Sequence, residues 1–399
     1  MFSDLLKPEV QAFIAQHENS DPTKLILKSP EVFGVPMAKI VDQIEGRRKA
    51  KEKLPSYHKT KGIVFPAAVN LGQSSSESTA SLKSVILSQK ISRRSLCVDL
   101  TGGMGVDTFF ISKIFDRVDH VEPNTELLEI ARHNHVKLGV MNIGYHNISS
   151  FVYLASVHPS IDCVYIDPSR RDLHNRKVSS LASCEPNILE LLPSIFNRTN
   201  YVLLKTSPLL DITEAIKQLE HVNQVYVVSV DNECREILFF MDRNFTGEPL
   251  LEAINLSKDS VSSFHFKFSE EKELHLSFSD PEEYIYEPNA SILKAGAFKS
   301  VSARFSVKKI HPNTHLYTSN KLLADFPGRI FKILGLIKPD TKALKQYFPD
   351  GYANIFTRNY PLSPKELKAR TRLKDGGNRF LVGFSGVNKK FLTVAEKVT

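Results

Sequence analysis

The sequence predicts an α/β protein built on a doubly wound parallel sheet, with a helical region before it and smaller α+β parts after it. From Ser95 onward, short apolar runs alternate with helical stretches, beginning with "LCVDL", "VDTFFISKIF" and "VDHVEPN". A glycine-rich turn, "DLTGGMGVDT", follows the first of these predicted strands. Strands that alternate with helices form a parallel sheet covered on both faces.

The flanking regions carry different patterns. Before Ser95 the stretch "PMAKIVDQIEGRRKAKEKLP" predicts a helix bounded by Pro36 and Pro55, and "SSESTASLKSVILSQKI" predicts another with Glu77 in its first turn. Farther along, "FHFKFSEEKELHLSFS" alternates apolar and polar residues and predicts antiparallel strands. The predicted domains are a helical region, an α/β domain, a small α+β domain and a basic domain, at 1–94, 95–245, 246–324 and 325–399.

Positive charge is concentrated at one end of the chain. The 399 residues carry a formal net charge of +8. From Lys321 to Thr399 there are 16 Lys and Arg against 6 Asp and Glu, a balance of +10, whereas the remainder has 36 against 38, a balance of −2. A localised basic surface suggests a polyanionic partner. A solvated surface that only maintains solubility explains the same counts, so charge alone leaves both interpretations open.

Some classes of protein are disfavoured by composition. No apolar run approaches the ~20 residues needed to span a bilayer, and the N-terminus lacks the pattern of a signal peptide, so we expect a cytoplasmic protein with no membrane partner. The four cysteines form no CxxC pair and mostly lie in apolar runs. They predict buried thiols and no metal site.

Three ligands compete for the glycine-rich turn. A phosphate-binding P-loop needs Lys and Ser/Thr after its last glycine, but Gly105 is followed by Val106 and Asp107, which excludes it. The dinucleotide pattern GxGxxG fits only in part, because Thr108 stands where its third glycine would be. The carboxylates Asp99 and Asp107 are also unfavourable neighbours for a pyrophosphate.

S-adenosylmethionine is the third ligand, and it suits those carboxylates. It carries an ammonium and a sulfonium group and no phosphate. The spacing Asp99-x-Thr101-x-Gly103-x-Gly105 resembles the acidic signature of class I methyltransferases, with threonine in the first glycine position. Glu122 ends the second predicted strand, 23 residues after Asp99, and can accept both ribose hydroxyls. That role also occurs with NAD, so Glu122 predicts a nucleoside without deciding which one.

The predicted cofactor-binding residues lie in the glycine loop, at the end of the second strand and after the third: Asp99, Thr101, Gly102, Gly103, Gly105, Asp107, Glu122, Pro123, Asn124 and Ser149. Ser149 or Asn147 stands where class I enzymes usually carry an acid that meets the adenine amine, and Phe151 could pack against the ring. The serine-rich stretch before the first strand predicts Gln73, Ser76 or Thr79 near the methionine end of the cofactor.

The fourth predicted strand ends in Asp167-Pro168-Ser169-Arg170-Arg171. This turn resembles the Asp/Asn-Pro-Pro-aromatic turn of amino-methyltransferases, in which a side chain and a backbone carbonyl hold an exocyclic amine. The first four residues are therefore the predicted catalytic residues, and Arg171 is a predicted substrate contact through phosphate binding or base stacking. Ser169 and Arg170 depart from the pattern and leave the target atom open. A structural strand end with a surface salt bridge is the alternative.

Methylation at C5 of a base is disfavoured. That chemistry needs a cysteine nucleophile near the end of the fourth or fifth strand. The chain has "DPS" and "KTSP" at those places, and Cys163 lies four residues before Asp167, inside the predicted strand.

The segments "GRRKAKEKLPSYH", "DLTGGMGVDT", "DPSRRD", "KTSPLLDI" and "TRNYPLSPKELKARTRLKDGGNRFL" together resemble one family. It is the bacterial class I S-adenosylmethionine-dependent methyltransferases with a C-terminal THUMP-like domain. The resemblance implies a Rossmann-like catalytic domain, a small ferredoxin-like domain and a THUMP-like domain, a kind of domain associated with RNA binding. Basic residues in the loop-rich C-terminal sequence are predicted to contact RNA: Arg358, Arg370, Arg372, Lys374 and Arg379.

The leading hypothesis is an enzyme that methylates a nucleobase in RNA, either tRNA or rRNA. Methyl transfer is a direct displacement, so positioning and charge matter more than a covalent nucleophile. Two alternatives come from other classes. One is a non-catalytic RNA-binding protein with a degenerate cofactor fold. The other is an NAD-dependent oxidoreductase, against which the missing third glycine argues.

Overall fold

The computed structural model describes most of the chain and divides it into two compact units. The described residues are 2–156, 160–169, 180–338 and 341–398. The first unit comprises Met1–Asn223 and Ile237–Gly247, and the second comprises Gln224–Glu236 and Glu248–Thr399.

The first unit begins with helices, as the sequence predicts, and further helices follow between its strands. They are α1 (Pro8–Gln16), α2 (Pro22–Lys28), α3 (Met37–Lys53), α4 (Pro55–Lys59), α5 (Ala68–Gln73), α6 (Glu77–Lys90), α7 (Val106–Ile111), α8 (Thr125–Lys137), α9 (Ser150–Ser156), α10 (Ile188–Phe196) and α11 (Ile212–Gln218). In the described part of the chain, no helix is both long and apolar enough to cross a membrane.

Local sequence explains where the N-terminal helices begin and end. α3 lies between Pro36 and Pro55, and Pro55 disfavours its extension because proline lacks the N–H and its ring clashes with the preceding turn. α6 begins after Ser76, whose Oγ accepts a hydrogen bond from the backbone N–H of Thr79 at 3.2 Å. The apolar faces of α1, α2 and α3 pack together around Val10, Ile14 and other buried side chains.

The strands of the first unit form a doubly wound sheet. They are β3 (Leu96–Asp99), β4 (Arg117–Val121), β5 (Ile143–His146), β6 (Cys163–Ile166), β7 (Tyr201–Thr206) and part of β9 (Glu233–Asp242), after a short hairpin of β1 (Glu31–Val32) and β2 (Val35–Pro36). Their order is β9-β7-β6-β3-β4-β5, parallel except for β9 against β7. This order confirms the predicted fold, and it brings the ends of β3, β4 and β6 to one edge.

The second unit is α+β. Its elements are part of β8 (Val222–Val230), then β10 (Leu250–Leu256), β11 (Val261–Phe266), α12 (Phe268–Glu273), β12 (Tyr284–Pro288), α13 (Ala290–Ala295), α14 (Phe298–Phe305), β13 (Lys308–His311), β14 (Thr314–Ser319), β15 (Gly328–Leu336), α15 (Thr341–Tyr347), β16 (Asn354–Arg358), α16 (Pro364–Thr371), β17 (Arg379–Ser385) and β18 (Lys390–Lys397). β10 pairs with β8 in parallel and with β11 antiparallel.

A seven-stranded sheet contains the C-terminal strands in the order β13-β14-β12-β15-β18-β17-β16. The strand β15 pairs with β12 on one side and with β18 on the other. The sheet is therefore continuous across Asp325, where the sequence predicts the basic domain to begin.

One segment differs from its predicted secondary structure. Phe268–Glu273 forms α12, whereas the alternating pattern predicts a strand. The side chain of Glu271 accepts hydrogen bonds from the backbone N–H groups of Lys299 (2.7 Å) and Ser300 (2.8 Å), at the start of α14. This contact caps α14 with an acidic side chain, which stabilises a helix N-terminus, and it holds α12 against that helix.

Candidate active site

The glycine loop connects β3 to α7 and bends sharply at two glycines. Gly103 has φ of +56° and Gly105 has φ of +80°, both in the left-handed region. A Cβ on Gly105 would lie 2.5 Å from Cε1 of His135, so the imidazole occupies the space that a side chain would need. The buried ring of His135 lies 2.8 Å from the carbonyl oxygen of Gly105, and burial lowers its pKa to about 4. His135 is therefore neutral and can donate to that carbonyl through Nε2.

Glu122 holds the loop from the end of β4. Its Oε2 accepts a hydrogen bond from the backbone N–H of Gly103, and its Oε1 accepts one from the N–H of Asn124, each at 2.8 Å. Burial raises the pKa of Glu122, and the two hydrogen bonds oppose that rise. The structure therefore places this acid beside the glycine turn, where the sequence predicts a ribose contact.

Asp99 is buried at the end of β3. Its Oδ1 accepts from the backbone N–H of Thr101 at 3.1 Å, and its Oδ2 accepts from the hydroxyl of Thr108 at 2.6 Å. Burial raises the pKa of Asp99 to about 7 against the opposing hydrogen bond of Thr108, and the charge of Asp107 adds to the rise. A cation brought close to Asp99 would favour its ionised form, which suits the ammonium or sulfonium of S-adenosylmethionine.

The pKa of Asp107 is shifted in the opposite direction from that of Asp99. Its Oδ2 accepts hydrogen bonds from the hydroxyls of Ser75 (2.7 Å) and Tyr165 (2.8 Å), and the ammonium of Lys83 lies 3.1 Å from its Oδ1. Burial alone would raise the pKa of Asp107, but the charges of Lys83 and Lys205, together with these hydrogen bonds, lower it. The charge of Asp107 is thus balanced by a buried lysine within the protein, which indicates a loop anchor.

The N-terminal region contacts the glycine loop through a residue that was not among the predicted ones. Gln73 is exposed at the end of α5, and Ser76 caps α6 through its hydrogen bond with Thr79. Ser75, within the same serine run, donates to Asp107. The serine run therefore reaches the glycine loop through Ser75, because its hydroxyl is the one that faces Asp107.

The turn after β6 is connected to the glycine loop. The backbone N–H of Asp167 donates to the hydroxyl of Thr101 at 2.6 Å. The carboxylate of Asp167 forms an ion pair with the buried ammonium of Lys205 on β7. The predicted exocyclic-amine acceptor therefore already has a cationic partner within the protein.

The rest of this turn is only partly described. Pro168 is buried, and Ser169 exchanges backbone hydrogen bonds with Glu185 at 2.7 and 3.1 Å. Arg170 and Arg171 lie outside the described residues.

The predicted adenine side is formed by the segments after β4 and β5. The amide of Asn147 donates to the carbonyl oxygens of Glu122 (2.9 Å) and Pro123 (3.0 Å). Ser149 accepts a 3.4 Å hydrogen bond from the N–H of Val152, within the first turn of α9. Phe151 is 47% exposed, so its ring is available to pack against a ligand.

Two other predicted cofactor residues have structural roles. Asn124 caps α8 through its side-chain oxygen, which accepts from the N–H groups of Glu126 (3.0 Å) and Leu127 (3.1 Å). Gly102 lies against the imidazole of His120, where a Cβ would approach Cε1 to 2.2 Å.

The residues that the sequence analysis missed are mostly buried polar partners of predicted ones: Ser75, Lys83, Thr108, Tyr165 and Lys205. One signal was available for Lys205, because it interrupts the apolar run "NYVLL" in a predicted strand. A lysine inside a buried strand needs an anionic partner, since burying an unpaired charge is costly.

The predicted RNA-contacting residues fall into two groups. Arg358 pairs with Glu287 at 2.6 Å, and Arg379 pairs with Glu396 at 3.4 Å, so both have acidic partners in the second unit. Three others are exposed at the end of α16 and in the turn that follows it: Arg370, Arg372 and Lys374.

Comparisons with known proteins agree with this architecture. Residues 284–327 match the family of ferredoxin-like domains, and residues 328–397 match the THUMP domain-like family. A candidate methyltransferase of Porphyromonas gingivalis W83, known from its crystal structure, is 32% identical, covers 100% of this chain and 99% of its own, and superimposes with a TM-score of 0.84. A Mycoplasma mobile protein named as an uncharacterized RNA methyltransferase is 26% identical over 148 residues, 37% of this chain and 40% of that relative's length.

The sheet order, the glycine loop and the acid after β4 define a class I, Rossmann-like methyltransferase domain whose methyl donor is S-adenosylmethionine. Because the similarity to the Porphyromonas gingivalis protein extends over the full length of both chains, this chain belongs to the same family. That family is the class I S-adenosylmethionine-dependent methyltransferases with ferredoxin-like and THUMP-like domains. The predicted family, class of enzyme and cofactor are thereby confirmed.

Replacing Glu122 with alanine is expected to weaken S-adenosylmethionine binding by ~1.5–3 kcal/mol, the usual range for hydrogen bonds to a charged group. The change removes the predicted ribose acceptor and also the anchor of Gly103. Isothermal titration calorimetry measures the effect, with Glu129→Ala on the exposed side of α8 as the matched control. An unchanged dissociation constant in a folded Glu122→Ala protein would remove Glu122 from the cofactor site.

Proposed function

We propose that this protein transfers a methyl group from S-adenosylmethionine to RNA, with tRNA and rRNA as the candidate substrates. The observation that carries the proposal is the glycine loop after β3, with buried Asp99 and Glu122 beside it. Asp99, Glu122 and the loop amides are the groups proposed to hold the cofactor. S-adenosylmethionine would supply an activated methyl group there, and the protein would position the acceptor against it.

The RNA part of the proposal has separate support. The THUMP-like match covers the basic C-terminal sequence, and Arg370, Arg372 and Lys374 are exposed within it. The partial relative from Mycoplasma mobile is named for RNA methylation. An exposed group of cations can release counterions from a phosphate backbone, which favours binding to nucleic acid.

Two observations support different acceptor atoms. The Asp167-Pro168 turn supports a nucleobase amine, which is the prediction from the sequence. The ion pair between Asp167 and Lys205 supports a hydroxyl group.

Neutralising the exposed cations is expected to weaken RNA binding and to reduce its salt dependence. The triple variant Arg370→Gln, Arg372→Gln and Lys374→Gln removes up to three phosphate contacts. Each contact on single-stranded RNA contributes about −0.7 to the slope of log affinity against log salt, so the slope should fall in magnitude by about 2. Fluorescence anisotropy with labelled RNA at several salt concentrations measures both quantities.

The matched control changes net charge by the same amount elsewhere. The exposed lysines Lys24, Lys28 and Lys49 of the first unit provide the triple Lys→Gln variant. Equal losses in both triple variants would indicate a general charge effect and would contradict a binding surface in the THUMP-like domain.

Truncation near Asp325 is a poor test of this surface. It would remove β15, β16, β17 and β18, which are four of the seven strands described in the C-terminal sheet, and would expose the edge of β12. Point variants leave the sheet intact.

A further inference from the structure

We propose that the methyl acceptor is a hydroxyl group, which in RNA is the ribose 2′-hydroxyl, and that Asp167 and Lys205 are the catalytic pair that acts on it. This inference rests on the proposed function and names the acceptor at the same site. It differs from the nucleobase predicted from the sequence.

The pair is positioned by two neighbouring strands. β6 and β7 run parallel, with Ile166 opposite Leu204, so Asp167 and Lys205 each come one residue later, at the carboxyl edge of the sheet. The residue Lys205 is 3% exposed, and its ammonium contacts the Asp167 carboxylate, whose side chain is 26% exposed. The ammonium of Lys205 therefore lies buried behind the Asp167 carboxylate, which is partly accessible to a ligand.

The same pair lies next to the glycine loop. The backbone N–H of Asp167 donates to the hydroxyl of Thr101, and the N–H of Thr101 donates to Asp99. The other nearby carboxylate, Asp107, has Lys83 as its own ion-pair partner at 3.1 Å. Lys205 pairs with Asp167, while Lys83 pairs with Asp107, whose pKa the charge of Lys205 also helps to lower.

Charge development distinguishes the two kinds of acceptor. A nitrogen atom becomes positively charged as it forms a bond to the methyl carbon, and an adjacent ammonium opposes that change. A hydroxyl oxygen becomes more negative as it loses its proton, and the Lys205 ammonium stabilises it. The Asp167 carboxylate can accept the hydroxyl proton as a general base. The Lys205 ammonium and the Asp167 carboxylate together therefore suit methylation of a hydroxyl group better than methylation of an exocyclic amine.

The proposed step balances in atoms and charge. The hydroxyl oxygen forms a bond to the methyl carbon, and the carbon–sulfur bond breaks with its electron pair remaining on sulfur. The hydroxyl proton passes to Asp167, which later releases it to water. Lys205 keeps its proton throughout. The products are a methyl ether, a neutral thioether and one proton.

The acceptor is tested with the wild-type protein, RNA from cells that lack its gene and S-adenosylmethionine labelled in the methyl group. A 2′-O-methyl group blocks alkaline cleavage of the adjacent linkage, so we expect labelled, alkali-resistant dinucleotides. Mass spectrometry of the nucleosides should place the label on the sugar. Label on a base would overturn this inference and leave the proposed function standing. Absence of label from RNA in a protein that binds the cofactor would overturn both.

The catalytic pair is tested with Lys205→Met and Asp167→Asn. Each is expected to reduce the rate of methyl transfer by ~100-fold or more, as for loss of a general acid or base, with the cofactor dissociation constant within about threefold of the wild type. Lys217→Met, an exposed lysine on α11, is the matched control and should keep the wild-type rate. A folded Lys205→Met protein with near wild-type rate would overturn the role of Lys205. The position of the label in the wild-type reaction tests the acceptor independently of both variants.

Discussion

Replacing Lys83 with methionine is expected to lower the free energy of unfolding by ~3–5 kcal/mol, the cost of breaking a buried ion pair by removing one partner. Lys83 is fully buried on α6, and its ammonium contacts Ser75 at 2.9 Å and Asp107 at 3.1 Å. Methionine has a similar length but no charge, so Asp107 would remain buried without its cation. Denaturant-induced unfolding, followed by circular dichroism, measures the loss.

Two further variants test whether loss of the buried ion pair causes the loss of stability in Lys83→Met. Lys49→Met makes the same substitution at an exposed position of α3 and should change the stability by less than ~0.5 kcal/mol. Adding Asp107→Asn to Lys83→Met removes the uncompensated carboxylate and should restore part of the lost stability. A Lys83→Met protein as stable as the Lys49→Met control would show that the ion pair does not support the loop.

Replacing Gly105 with alanine is expected to cost ~2–5 kcal/mol and to weaken cofactor binding. About 1–2 kcal/mol comes from placing a residue with a Cβ at φ of +80°. The new methyl group would also lie 2.5 Å from His135 and 3.1 Å from the Cβ of Ala131, and such overpacking costs typically ~1–3 kcal/mol. Denaturant unfolding and calorimetry with S-adenosylmethionine measure the two effects.

Gly139 provides a matched control. It has φ of +79°, and a Cβ there would meet no atom within 4 Å. Gly139→Ala therefore carries the backbone strain without the steric clash, and should cost only ~1–2 kcal/mol. Equal losses at Gly105 and Gly139 would contradict the proposed packing of His135 against the loop.

The secondary structure that follows from local pattern was well predicted. The alternation of short apolar runs and helical stretches from Ser95 identified the parallel sheet, and the prolines at 36 and 55 marked the ends of α3. Helix α12 was missed because "FHFKFSEEKELHLSFS" alternates like a strand. Its helical form is accompanied by the hydrogen bonds between Glu271 and the start of α14, which no local pattern contains.

Three parts of the candidate site depend on residues close together in the chain and could be predicted from the sequence: the glycine loop, the acid after β4 and the Asp167-Pro168 turn. Each of these parts follows directly after a predicted strand, so it can be recognised from a short stretch of sequence. The pairing of the buried charges, in contrast, depends on how the strands and helices pack. Lys205 and Asp167 are separated by 38 positions and pair because β6 and β7 are adjacent, while Lys83 reaches Asp107 from a helix outside the sheet. Buried charges require partners, but strand order and helix packing select them, and neither is encoded in a local pattern.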